Sequence, residues 1–370
     1  MLSTQAKTTE SRKERIGDYS LDDLLRTAVQ RKASDLHVTA ELPPQMRIDG
    51  RLRSLDFEPL SPVECQRLIF GILTDRQIAE FESRLELDLS YGVSGLGRFR
   101  VNVYRQRGSI GAALRVIASS IPSFEELRLP KILRDFANHT SGLILVTGPT
   151  GCGKSTSLAA MIDHINHTRE GHIVTLEDPI EYLHKHARCM VNQREVGADT
   201  RDFASALRSV LREDPDVVLV GEMRDLETIA TTLTIAETGH LVLGTLHTRN
   251  APQSIDRIVD VFPPHQQEQI RVQLAGTVEA IVAQQLLPAY GRPGRVPAVE
   301  IMVATAGVRN LVREAKTHQI YSLIETGAEE GMQTMDRDLA RLVQSGQVSL
   351  EEAQTRAVDA DSFRRWLAML

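Results

Sequence analysis

Gly148-Pro149-Thr150-Gly151-Cys152-Gly153-Lys154-Ser155 is the stretch on which the fold turns, and it fits the pattern G-x-x-x-x-G-K-[ST]. Its flanks supply the setting that gives the pattern meaning. Leu143 to Thr147 is an apolar run that reads as a buried strand, and Leu158, Met161, Ile162 and Ile165 recur at helical spacing beyond the loop. In a strand–glycine loop–helix unit, glycines let backbone N–H groups converge on phosphate oxygens, and the helix offers its positive end to the same charge. Lys154 is then expected to reach the β- and γ-phosphates of ATP, and the Ser155 hydroxyl, with Thr156 beside it, to face Mg²⁺ and phosphate.

Composition bounds what surrounds this unit. A chain of 370 residues suggests two or three domains, and 42% hydrophobic residues are ample for packed cores. The net charge of -6 argues against a polyanion partner, so no direct nucleic-acid binding is expected. There is no apolar run long enough to span a membrane, and Met1 to Arg15 is polar and charged, unlike a signal peptide. Cys65, Cys152 and Cys189 are odd in number and widely spaced, with no C-x-x-C, which excludes a disulfide framework and a zinc ribbon. A cytoplasmic protein is the simplest expectation.

The pattern along the chain is α/β. Residues 1–17 read as a mobile tail and 18–118 as a small α/β domain. It holds a helix over Asp18–Arg31, strands over Ser34–Thr39 and Gln45–Leu52, helix starts at Ser61-Pro62 and Thr74-Asp75, and strands near Glu86–Val93, Arg98–Arg105 and Ile110–Ile117. In the second of that last trio Phe99, Val101 and Val103 alternate with Arg98, Arg100 and Asn102, a half-buried strand with a cationic face. Residues 119–130, with Ser119-Ser120-Ile121-Pro122-Ser123, read as a linker. From 131 to 290 strands and helices alternate, which implies a mostly parallel sheet covered by helices. Residues 291–370 read as mainly helical, with a capping box at Ser349-Leu350-Glu351-Glu352.

Three further clusters fall where a phosphate-hydrolysing site wants them. Glu177-Asp178-Pro179-Ile180-Glu181 follows the apolar strand His172–Leu176; these acids either supply a general base or sit in an exposed loop, and the phosphate loop favours the base. Val217-Val218-Leu219-Val220-Gly221-Glu222 is an apolar strand ending in an acid, suited to organising Mg²⁺ or water. His240 and His247 bracket the strand-like Leu241–Leu243 run, with His247 in loop territory where it can meet a γ-phosphate. Cationic help for the transferring phosphoryl group has many candidates: Arg98, Arg100, Arg105, Arg107, Arg115, Arg208 and Arg212.

The segments GPTGCGKST, TLEDPIEY, VNQREVG, ALRSVLREDPDVVLVGEMRDLETI and ETGHLVLGTLHT together resemble the type II/type IV secretion ATPase superfamily, and within it the retraction ATPases of type IV pili, from about Asp18 to Met335. The resemblance implies a hexameric motor with an N-terminal PAS-like domain and a C-terminal RecA-like ATPase domain. It implies Glu181 as catalytic glutamate, Glu222 as Walker B glutamate, His240 and His247 as the family's His box, and arginines among Arg98–Arg115 at the phosphates. Implied partners are an inner-membrane platform protein and, through it, the pilin fibre, with the motor at the cytoplasmic membrane face. Assembly and secretion members carry a further N-terminal domain and a four-cysteine zinc insertion, for which this sequence shows no counterpart. Gly307-Val308-Arg309-Asn310-Leu311-Val312-Arg313-Glu314 is similar to the AIRNLIRE motif of retraction ATPases, with Gly307 where Ala is usual. Pilus retraction is therefore the expected function; a pilus-assembly or type II secretion ATPase, a non-hydrolysing nucleotide-gated accessory subunit and a nucleic-acid translocase are the alternatives. Cys152 stands where Ser or Ala is commoner, either as space filler or as a thiol made acidic by Lys154 and the loop amides.

Overall fold

A computed structural model describes residues 14–17, 19–48, 50–117 and 120–369. The chain divides into two compact units, Met1–Ser119 and Ser120–Leu370.

In the first unit the strands are β1 (Asp35–Val38), β2 (Gln45–Ile48), β3 (Arg51–Ser54), β4 (Glu86–Val93), β5 (Gly97–Gln106) and β6 (Ser109–Val116). They form one sheet in the order β3-β2-β1-β6-β5-β4, antiparallel at every pairing. Helices at Leu21–Gln30, Pro62–Phe70 and Asp75–Arg84 each begin at a full capping box, on Ser20, Ser61 and Thr74. The first starts later than expected from the sequence, because Ser20 caps it; Asp18 lies outside the described residues. Gln45–Leu52 is two strands rather than one: Ile48 pairs with Arg51 across a reversal at Gly50, whose φ of +76° suits a two-residue hairpin turn. Alternation on β5 holds, with Phe99, Val101 and Val103 buried. Of the expected tail, Glu14 bridges to Phe57 and Ile16 is buried, so residues 14–17 belong to this unit, and Met1–Lys13 lie outside the described residues.

The second unit is built on β7 (Gly142–Thr147), β8 (Gly171–Glu177), β9 (Cys189–Glu195), β10 (Val217–Val220), β11 (Leu241–Leu246), β12 (Val278–Pro288) and β13 (Arg295–Val303). The sheet order is β13-β12-β7-β11-β10-β8-β9. All neighbours are parallel except β12 and β13. Strands β7, β10 and β11 are buried at every position, as parallel strands covered on both faces must be. Successive side chains feed opposite cores: Leu143, Leu145, Val218 and Val242 pack on one face, and Ile144, Val146, Leu219 and Leu243 on the other. Within 119–130, Ser123 caps a helical turn, Phe124–Leu127, and Phe124 is buried; Ser119 lies outside the described residues. Helices dominate from Ala306 onward, ending with Leu350–Arg356 and Ala360–Met369, which buries Phe363. The capping box at Ser349 is only half formed. Its hydroxyl accepts from Glu352 N at 3.2 Å, but the Glu352 carboxylate turns to Arg356 at 3.2 Å, one helical turn on.

Glu300 on β13 is buried to 1% exposure. Its Oε1 accepts from the Ala251 amide at 2.8 Å, in the first turn of the helix Ala251–Asp260, while its buried Oε2 has no hydrogen-bond partner among the described residues. Burial pushes this carboxyl from 4.5 up to about 7. The native state thus keeps a proton that the unfolded chain releases between those values, so stability falls as pH rises through that window and stays lower above it. The full shift is worth about 3 kcal/mol. Glu300→Gln keeps the acceptor for Ala251 and removes the ionisation. Thermal melts are expected to show the variant gaining on wild type at pH 8 and little changed at pH 5; an equal effect at both pH values would contradict the assignment.

Candidate nucleotide-binding site

The loop after β7 is shaped by glycines at left-handed positions: Gly148, Gly151 and Gly153 have φ of +140°, +78° and +93°. At Gly148 the requirement is also spatial, since an added Cβ would lie 2.3 Å from Gln284 O and 2.6 Å from Cys152 Sγ. The helix Lys154–Thr168 starts at Gly153, which has no side chain to cap it. Elsewhere in this unit, helices at Phe203, Leu226, Ala251 and Ala306 begin at Asp202, Asp225, Asn250 and Thr305, whose side chains occupy a first-turn amide. At Lys154–Thr168 those amides are left for an anion. Lys154 Nζ lies across the loop, donating to Gly148 O at 2.8 Å and Pro149 O at 3.2 Å. Thr156 Oγ1 meets the Tyr182 hydroxyl at 3.0 Å. Uncapped amides, a cation held over them and a hydroxyl at Ser155 form a donor set that fits a magnesium–nucleotide phosphate.

Gln284, on β12 and 3% exposed, braces this loop. Its Nε2 donates to Cys152 O at 2.7 Å and its Oε1 accepts from Ser157 Oγ at 2.8 Å. Sequence reasoning missed it, and a lone glutamine in a strand far along the chain carries no local signal of such a task.

Parallel pairing brings Glu222 and His247 together. Val220 pairs with Gly244, so the ends of β10 and β11 lie side by side. His247 Nε2 approaches Glu222 Oε1 at 2.9 Å, and Arg224 also bonds this carboxylate. The Gly148 amide donates to Leu246 O at 3.3 Å, so the phosphate loop leaves the sheet beside this pair. His240 is not part of that cluster. It precedes β11, whose six residues separate the two histidines by seven steps of roughly 3.3 Å, about 23 Å in all. There its Nδ1 lies 3.0 Å from Ile235 O and 3.1 Å from Thr238 Oγ1, at the end of the helix Leu226–Glu237.

At the end of β8, the acid nearest the strand is Glu177, which accepts from Thr175 Oγ1 at 2.6 Å and whose carboxyl is pushed up by burial. Glu181 is exposed, four residues further into the loop. Arg98 and Arg115 lie in the other unit, on β5 and β6. Arg115 Nε bonds Asp35 Oδ1 at 3.0 Å with its own side chain 69% exposed, a pairing worth at most about 1 kcal/mol. Arg100, Arg105, Arg107 and Arg212 are exposed, and Arg208 pairs with Glu227.

A glycine loop feeding an uncapped helix, on a parallel sheet whose next strands end in an acid and a histidine, defines a P-loop nucleotide-binding domain. The chain belongs to the type II/IV secretion system protein family, whose profile matches residues 10–355. It is 48% identical to the type IV pilus retraction ATPase PilT of Pseudomonas aeruginosa over 343 residues, 93% of this chain and 99% of that one. It is 41% identical to the type IV pilus ATPase PilU of the same organism over 343 residues, 93% of this chain and 90% of that one. A crystal structure of the pilus retraction motor PilT with bound ADP superposes with a TM-score of 0.88 at 48% identity, over 94% of this chain and 100% of that one.

The retraction-type motif folds as the helix Ala306–Arg313, with Val308 and Val312 buried. Arg309 turns inward, its guanidinium donating to Ala304 O at 2.9 Å, Ala275 O at 2.8 Å and Glu279 Oε1 at 2.9 Å. A Cβ at Gly307 would meet Leu323 at 3.4 Å, ordinary contact, so the Ala usual there would fit.

Cys152 is 3% exposed, and burial pushes its thiol up despite the nearby Lys154. Of the two readings of Cys152, this supports the space filler over the acidic thiol, because desolvation of the thiolate outweighs attraction to the lysine. Cys152→Ser is expected to keep the KM for ATP within about twofold, and maleimide to label Cys152 far more slowly in the native than in the denatured protein. Rapid native labelling that ATP blocks would contradict this.

Proposed function

We propose that the chain is a hexameric, ATP-hydrolysing motor that powers type IV pilus retraction. The observation that carries the reading is the Glu222–His247 pair held beside the phosphate loop, in a chain that matches PilT over nearly its whole length. Lys154 and the loop amides, from Gly148 through Thr156, bind the ATP phosphates. Ser155 and Glu222 would hold Mg²⁺, which neutralises phosphate charge when bound. Glu181 accepts the proton of the attacking water, and His247 fixes the Glu222 carboxylate and faces the γ-phosphate. Arg98 and Arg115 stabilise the leaving charge, from the same subunit or a neighbour in the ring.

Three cysteines, all buried, leave no four-cysteine zinc set of the assembly type, and the Gly307–Glu314 helix keeps the retraction pattern. Identity to the retraction ATPase PilT is 48%, against 41% to the type IV pilus ATPase PilU, which supports the retraction reading. Among the described residues no helix is long and apolar enough to cross a membrane. In this reading the motor works at the cytoplasmic face of the membrane, on a platform protein that passes its motion to the pilin fibre.

Lys154→Ala removes a charge-assisted contact to phosphate and is expected to weaken ATP binding by roughly 10- to 100-fold or more. Cells carrying only this variant are expected to lose twitching while accumulating surface pili. Bald cells would identify an assembly motor instead, and normal twitching would contradict a motor role.

A further inference from the structure

The loop that carries Glu181, between β8 and β9, has almost no regular secondary structure, so its backbone groups need partners from elsewhere. Strand β9, the VNQREVG stretch, supplies them. It runs parallel to β8 with Gln193 beside Thr175 and Glu195 beside Glu177. Gln193 Nε2 donates to Tyr182 O at 2.8 Å and to Glu177 Oε1 at 3.1 Å, and its Oε1 accepts from His184 N at 2.8 Å. Both amide protons and the carbonyl of this one side chain are thus committed to the loop and to the end of β8 from which it starts. Glu195 Oε2 adds a bond from Ile180 N at 3.0 Å. On its other side the loop is tied to the phosphate-loop helix through Tyr182 and Thr156, at 3.0 Å. Among the described residues the Glu181 carboxylate makes no hydrogen bond or ion pair, so its place is set by its backbone: through Ile180 and Tyr182 on either side, and through its own amide, which donates to the Glu177 carboxylate that Gln193 also holds.

We propose that Gln193 is a positioning residue for hydrolysis: by gripping Glu177, Tyr182 and His184 together, it holds Glu181 at its working distance from the phosphate loop, with the Tyr182–Thr156 bond as the opposite anchor. The proposal rests on the reading of Glu181 as the base. It assigns Gln193 no contact with nucleotide, which separates it from a binding residue. A displacement of about 1 Å is enough to cost on the order of a hundredfold in rate.

The test is Gln193→Met in the full-length protein, a side chain of similar length without donors. Steady-state ATP hydrolysis is expected to show kcat lowered by roughly 10- to 100-fold with KM and ATP affinity unchanged. In a Glu181→Gln background the same change is expected to add nothing, because Gln193 acts through Glu181. A full-rate Gln193→Met enzyme, a raised KM at unchanged kcat, or losses that multiply in the double variant would each overturn the clamp. Wild-type turnover from Glu181→Gln alone would sink the base assignment and the clamp with it, so the two failures are distinguishable. Should Gln193→Met not fold, Tyr182→Phe removes only the opposite anchor; lowered kcat at unchanged KM supports the frame, and full activity overturns it.

Discussion

The parallel register of β7, β11, β10 and β8 is the constraint on which the rest of the second unit depends. Thr147 pairs with Leu246, Gly244 with Val220, and Val220 with Leu176. Four strands therefore end along one edge, and whatever follows each of them is delivered to the same place. The phosphate loop follows β7, His247 follows β11, Glu222 follows β10, and the Glu177–Glu181 acids follow β8. Parallel strands require crossovers on the faces, which is why the apolar stretches between these loops are helices and why the strands are apolar on both sides.

That edge is then stiffened from strands that contribute no chemistry. Gln284 reaches from β12 to the phosphate loop, and Glu300 reaches from β13 to the first turn of the helix beyond His247. Both use buried polar groups with defined partners, which fix geometry more than they add net stability. Glu300 does so at a cost, since one of its oxygens is buried with no hydrogen-bond partner among the described residues. The Arg309 guanidinium performs a comparable task at the start of β12, where it ties the Ala306–Arg313 helix to Ala275 and Glu279.

Much of this was legible in the sequence because it is local. The phosphate loop, the apolar runs of β7 and β10, the acid at Glu222 and the capping boxes of the first unit all rest on neighbours a few residues apart. What was not legible depends on register or burial. His240 and His247 bracket one strand, and the sequence favours His247 only as the one in loop territory; the strand has two ends, and only the one at His247 faces the phosphate loop. Glu222 and His247 meet because of a pairing that spacing alone does not specify. Cys152 could be read as a space filler or as a thiol made acidic by Lys154, and it is the depth of the side chain that pushes the thiol up. The turn at Gly50 splits Gln45–Leu52, read as one strand, into two, and Ser349 lacks its full box because Arg356 holds the Glu352 carboxylate.

If the four strand ends form one hydrolytic site, steady-state phosphate release by the purified protein and by Glu181→Gln, with ATP binding measured on the same preparations, tests it most directly. The account predicts turnover by wild type, and a variant that binds ATP with unchanged affinity while losing at least about a hundredfold in rate. Equal turnover by the two would contradict it.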